Sequence, residues 1–224
     1  MAVYKNGVDQ SLPLAGGIMA GNISMAGAET VDGVDVSAHA ADLAAHHLEK
    51  QETLRTGEYF STFPAIPNQG NEALTANRLF AIPFYVARTR TYDRIAISVA
   101  TEQAASAIRL GIYNNGTNFA PGTLLLDAGV VDTTSTGIKA ITINQQLTKG
   151  HYWLAVYNQV GAVGVDRMVV TGEVFGNVAT SLILFYAMWY YDGTYGVLPD
   201  PFPTPTDKFN HTSLVVALRL LTND

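Results

Sequence analysis

Residues 107–131 read AIRLGIYNNGTNFAPGTLLLDAGVV, two runs rich in alternating and β-branched apolar residues on either side of NNGTNFAPG. Asn and Gly tolerate left-handed backbone and Pro pre-sets φ, so the middle of this stretch is turn chemistry and its flanks are strands. The same texture runs from about Tyr59 to the C-terminus. FAIPFYVA, DRIAISVAT, GIKAITINQQL, HYWLAVYNQ, RMVVTGEVF, SLILFYAMWYY and HTSLVVALRLL join AIRLGIYN and GTLLLDAGVV as nine strand candidates, and DTTSTG, TKG and DGTYG are further turns. Short strands punctuated this regularly predict an all-β fold, a jelly-roll-like β-sandwich over residues 56–224. Pro83 has no N–H to give a ladder, which predicts that its strand lies at a sheet edge or begins there.

Upstream the pattern differs. Residues 1–36 carry spaced single hydrophobes (Leu12, Leu14, Ile18, Ile23, Met25, Val31, Val34, Val36) interrupted by Gly16, Gly17, Gly21, Gly27 and Gly33. No segment there is long enough to bury a core, so the expectation is an extended, glycine-rich segment that needs a neighbour. TVDGVDVSAHAADLAAHHLEK (residues 30–50) follows, with Ser37 as N-cap of a predicted helix over 38–51. Val36, Ala40, Leu43, His47, Lys50 and Leu54 alternate at spacings of four and three, the seam of a coiled coil. The helix is short and alanine buries little area, so residues 37–55 are expected to fold only against copies of themselves or another subunit, with Val36, Ala40, Leu43, His47 and Leu54 on the contact seam.

Composition narrows the partners. Charged residues make up 14% of the 224-residue chain and the formal charge is -6. With no Lys/Arg cluster to neutralise phosphates, the sequence argues against nucleic acid. There is no cysteine, hence no disulfide or thiolate metal site. No apolar run reaches the roughly 18 residues of a membrane helix, and MAVYKNGVDQ lacks the regions of a signal peptide, so the chain is expected to be made in a cytoplasm without membrane insertion.

LAGGIMAGNISMAG followed by TVDGVDVSAHAADLAAHH resembles the shaft or collar segment of bacteriophage tail-fibre and related virion proteins. NRLFAIPFYV, YDRIAISV, RLGIYNNGTNFAPGTLLLDAG and TSTGIKAITINQQLTKGHYWLAV are similar to the distal β-sandwich of such proteins, and the resemblance covers about residues 12–160. It implies a homotrimeric virion fibre or spike, with the seam residues Val36, Ala40, Leu43, His47 and Leu54 at the trimer axis. Its N-terminal segment would attach to other virion proteins, and its C-terminal head would meet a glycan or protein on the host surface. Two alternatives stay open: a capsid decoration or head-fibre protein, and a glycan-degrading enzyme on a β scaffold.

Candidate chemistry is sparse. His39 and His46 share a helical face, and in a parallel trimer either could form a ring of three imidazoles, yet apart from Asp42 no ligand set stands beside them in one chain; the reading is no metal and no cofactor. Asp127, Asp132, Asp166 and Glu173 are the acidic residues a glycosidase dyad would draw on. No nucleophile elbow, HExxH or phosphate loop occurs, so the expectation is a protein that is not an enzyme. VDGVDV lacks calcium-loop spacing and reads as a tight turn. The stretch FYAMWYYDGTYGVLPDPFPTPTD (185–207) is the most informative for binding. Alternation sends Trp189 and Tyr191 to one face and Tyr190 to the other, and with Tyr195 and Phe202 they offer ring faces that suit sugars, unless they pack in a core or between subunits. Asn114, Asn115 and Asn118 offer amides nearby in sequence to the first strand pair. His151 and His211 read as structural.

Overall fold

The computed structural model describes residues 4–5, 8–9, 30–31, 34–35, 55–61, 70–169, 186–210 and 212–223. The chain divides into two units, Met1–Thr53 and Leu54–Asp224. In the first unit β1 (Tyr4–Lys5) pairs antiparallel with β2 (Val8–Asp9), and β3 (Thr30–Val31) with β4 (Val34–Asp35). Two residues separate the strands of each pair, Asn6-Gly7 and Asp32-Gly33, the two dipeptides that best connect a tight hairpin. YKNGVD and TVDGVD are thus matching devices. The tight turn expected in VDGVDV agrees with the β3–β4 register, which sets Val31 opposite Val34. The expected helix lies outside the described residues, as do Val36, Ala40, Leu43, His47 and Leu54 of its seam and the candidate ligands His39 and His46.

The second unit is all-β, two sheets packed around one core. The first sheet has six strands in the order β10 (Pro121–Asp132), β9 (Ala107–Asn115), β12 (Gly150–Asn158), β7 (Arg78–Val86), β14 (Tyr186–Asp192), β15 (Asp207–Asn210). The second sheet follows the order β16 (Thr212–Leu214), β13 (Gly164–Val169), β8 (Arg90–Thr101), β17 (Val216–Asn223), β5 (Tyr59–Ser61). In addition β11 (Gly137–Leu147) flanks β8 on the side away from β17, and β6 (Gly70–Ala73) pairs with β13. The chain changes sheets repeatedly: β7, β9 and β12 lie in the first, β8, β11 and β13 in the second. Such crossings oblige each strand to show an apolar face to the other layer.

That layer is the core. Phe80, Ile82 and Phe84 of β7, Leu110 and Ile112 of β9, and Leu154 and Val156 of β12 meet Tyr92, Ile95 and Ile97 of β8 and Leu218 and Leu220 of β17. At about 1.5–3 kcal/mol for each buried aliphatic side chain, this shared layer is the main source of stability. The nine expected strands meet observed ones wherever their residues are described, the last divided at Val215 into β16 and β17; of RMVVTGEVF only 167–169 and of SLILFYAMWYY only 186–191 are among the described residues. The edge position expected for Pro83 is not what forms. β7 is an interior strand, but its ladder with β14 runs only from Arg78 to Ala81, so Pro83 lies beyond the point where β14 would need its N–H. Trp153 of β12 stands opposite it on the other side.

Candidate binding face

The outer face of the six-stranded sheet is aromatic rather than polar. Alternation along β12 turns Leu154 and Val156 into the sandwich and Trp153, Ala155 and Tyr157 out of it. The register then builds rows across the sheet. Trp153 lies opposite Tyr113 of β9, and Ala155 between Gly111 and Ala81. Tyr157 lies between Arg109 and Leu79, and on β14 Trp189 stands opposite Ala81. The middle row is therefore Gly, Ala, Ala, a trough between two rows of large side chains.

Residues 193–206 lie in that trough as a strap. Leu198 and Phe202 are buried against the sheet, Phe202 edge-on to Tyr113 with ring centroids 5.2 Å apart. Polar contacts fix the strap along its length. The Tyr113 hydroxyl donates to the Pro199 carbonyl at 2.8 Å and the Tyr157 hydroxyl to the Thr194 carbonyl at 2.5 Å. Burial pushes both phenols above their ordinary pKa, which keeps them protonated as donors. The Asp200 carboxylate accepts from the Leu124 N–H at 2.9 Å, and the Phe202 N–H donates to the Gly122 carbonyl at 2.9 Å. Asp127 accepts from Arg109 at 2.9 Å and from the Leu198 N–H at 3.4 Å, tying strap, β9 and β10 together.

Beyond the strap, one end of the face is left uncovered by the described residues. Trp153, 1% exposed, donates its indole N–H to the Asn115 side-chain oxygen at 3.0 Å and forms the floor. Around it stand partly exposed rings: Trp189 at 6.3 Å and Phe119 at 5.2 Å from the Trp153 ring, with His151 at 5.1 Å from Phe119 and Tyr85 at 4.8 Å from His151. The Lys208 ammonium sits 4.6 Å from the centre of the Trp189 ring. Burial holds the His151 imidazole below its ordinary pKa, so near neutrality it is an uncharged ring among rings. Asn118 and Phe119 both take positive φ, 55° and 53°. Asn accepts that conformation, but a bulky residue does so at a cost of order 1–3 kcal/mol, which here places the Phe119 ring against Trp153 and leaves Asn118 exposed beside it.

The structure brings Trp189, Tyr191, Tyr195 and Phe202 together on this one face, and Tyr190 packs on the opposite side against the sandwich core. Phe202, 6% exposed, is spent on the strap's packing, whereas Trp189, Tyr191 and Tyr195 are half-buried. Of the three asparagines, Asn114 donates to the Thr123 hydroxyl at 3.0 Å, Asn115 holds Trp153, and Asn118 is exposed. Trp153, Tyr113, Tyr157, Phe119, His151 and Tyr85 complete the face; His151 was read from sequence only as structural, and the other five were not singled out. For Trp153, Tyr157 and His151 the signal is HYWLAVYN itself, whose odd positions 151, 153 and 157 are all rings. Among the acidic candidates, Asp127 is engaged as above and Asp132 caps its own turn through the Thr134 N–H at 3.0 Å; Glu173 lies outside the described residues. Among the described residues no group of three His, Asp or Glu side chains is gathered as a metal would need. No protein-family model, curated protein or solved structure matches the chain.

Proposed function

We propose that this chain is a structural virion protein, a homotrimeric fibre or spike whose jelly-roll-like head adheres to a glycan on the host surface through the outer face of its six-stranded sheet. One observation carries the adhesive part: a row of partly exposed rings, Trp189, Phe119, His151 and Tyr85, around a buried Trp153, with the exposed amide of Asn118 at its rim. Sugar C–H groups pack on such faces while hydroxyls reach amides, and burying the flat surface requires little ordering of side chains already held by their neighbours. The virion assignment and the trimer rest on the sequence of residues 12–160, the latter on the weak helix seam of 37–55. In this reading the N-terminal segment attaches to other virion proteins and the head performs no catalysis.

A glycan array probed with the full chain tests the adhesive reading. Retention on a defined subset of sugars, lost on Trp189→Ala with Tyr85→Ala, supports it; no retention above a surface blocked with albumin, or equal retention of the double variant, sinks it.

A further inference from the structure

Sheet edges are templates for further strands. Among the described residues β5 and β16 span three and β6 and β15 four, each next to residues outside the described ones. β10 is long, but its pairing with β9 is broken by three register shifts, bulges that twist an edge away from a partner. β11 is different. Its eleven residues pair with β8 alone among the described residues, and the register runs unbroken from Gly137↔Val99 to Thr142↔Arg94. It contains no proline and one charge, Lys139, whose ammonium donates to the Ser135 hydroxyl at 2.6 Å. On its outer side Ile138 is 69% exposed, the second most exposed of the large hydrophobics, and Ala140 and Thr142 are exposed beside it.

We infer that β11 pairs with β11 of a second copy, antiparallel about a two-fold axis at Ala140. The occupant follows from the strand's own pattern. In that register Ile138 faces Thr142 of the second copy, Lys139 faces Ile141, and Ala140 faces Ala140. No pairing sets two charges against each other, since each Lys139 ammonium faces the apolar Ile141 and never the other ammonium, so the edge is complementary to itself. Lys139 lays its stem along the half-buried Ile141 of the other copy. The outer face fits as well. Ala140, Ala96, Ala217 and Ser61 form one row across β11, β8, β17 and β5, and pairing at Ala140 continues this row into the same row of the second copy without a protruding side chain. The inference concerns assembly and stands apart from what the aromatic face binds; a trimer joined this way becomes a pair of trimers.

The chain contains no cysteine, which makes the register directly testable. Directly opposed Cβ atoms in such a pair lie about 4.5–5.5 Å apart, near enough for a disulfide after slight adjustment. Ala140→Cys in the full chain, oxidised, is expected to yield a two-chain band on a denaturing gel, and Thr134→Cys in the neighbouring turn only background. Ile138→Lys is expected to halve the mass in sedimentation velocity, whatever number of copies the helix sets, with unchanged β circular dichroism because its side chain is in solvent in the single chain. Equal cross-linking of Ala140→Cys and Thr134→Cys, or an unchanged mass for Ile138→Lys, overturns the inference. Neither readout involves glycan binding, so the adhesive reading and this one fail separately.

Discussion

Gly111→Ala is a one-carbon test of whether the strap is seated on the sheet. A Cβ built on Gly111 falls inside van der Waals contact of Leu198 Cδ1 on the strap and 2.5 Å from the Leu126 carbonyl oxygen of the neighbouring strand. The leucine can swing away at the expense of its packing, but the carbonyl belongs to the β9–β10 ladder and cannot. Overpacking of this kind costs about 1–3 kcal/mol, equivalent to a fall in Tm of roughly 3–10 °C for a domain of this size. Gly161→Ala is the control, since its Cβ would meet nothing closer than 3.6 Å. Scanning calorimetry on both reads the difference. Leu198→Ala, which empties a buried site, costs about 2–5 kcal/mol alone. In Gly111→Ala with Leu198→Ala the combined loss is expected to be smaller than the sum, because one clash has been removed. Melting of Gly111→Ala within a degree of wild type, or strict additivity in the double variant, refutes a strap packed in the Gly-Ala-Ala trough.

Other outcomes follow from the same contacts. Trp153→Ala is expected to cost about 3–5 kcal/mol in urea unfolding, against roughly 1 kcal/mol for the half-buried Trp189→Ala, a contrast that reverses if the indole floor is wrongly placed. Because the chain has two tryptophans, Trp153→Phe leaves Trp189 as sole emitter; acrylamide should quench it readily, and a glycan that binds should protect it. His151 titrates below its ordinary pKa in the fold, so the unfolded chain takes up a proton first as pH falls; the stability its neutral form provides is complete above about pH 6.5 and is lost as pH drops through the folded value. His151→Gln should therefore flatten the stability profile as pH falls below about 7. A chain beginning at Leu54 should keep its β circular dichroism, since the core layer lies wholly within Leu54–Asp224.

Long strands were legible because alternation over eight to twelve residues has a period to detect, as in RTYDRIAISVAT of β8. β5, β6 and β15, of which three or four residues each are described, show no period over those residues and were not read. The Asn6-Gly7 connector of β1–β2 was readable but stood among single hydrophobes that suggested only extended chain. Pro83 misled because proline's cost depends on which neighbour needs the N–H, and the end of the β14 ladder is a tertiary fact. The binding face was half legible. Alternation separated Trp189 and Tyr191 from Tyr190. Yet β12 is buried on both sides over Trp153–Asn158, so its aromatic outer row merged into one continuous apolar run. Nor does a proline-rich stretch such as GVLPDPFPTPTD announce that it will lie down and bury Leu198 and Phe202.

The central claim is that the open end of the aromatic face holds a sugar. Its most direct measurement is titration calorimetry of the full chain with the array's best-retained oligosaccharide, comparing wild type with Trp189→Ala. Truncating a central ring should weaken affinity by about 30-fold, the equivalent of about 2 kcal/mol, while Tm falls by only a few degrees. Affinity unchanged by Trp189→Ala, with the same melting, would contradict the assignment of this face as the adhesive surface.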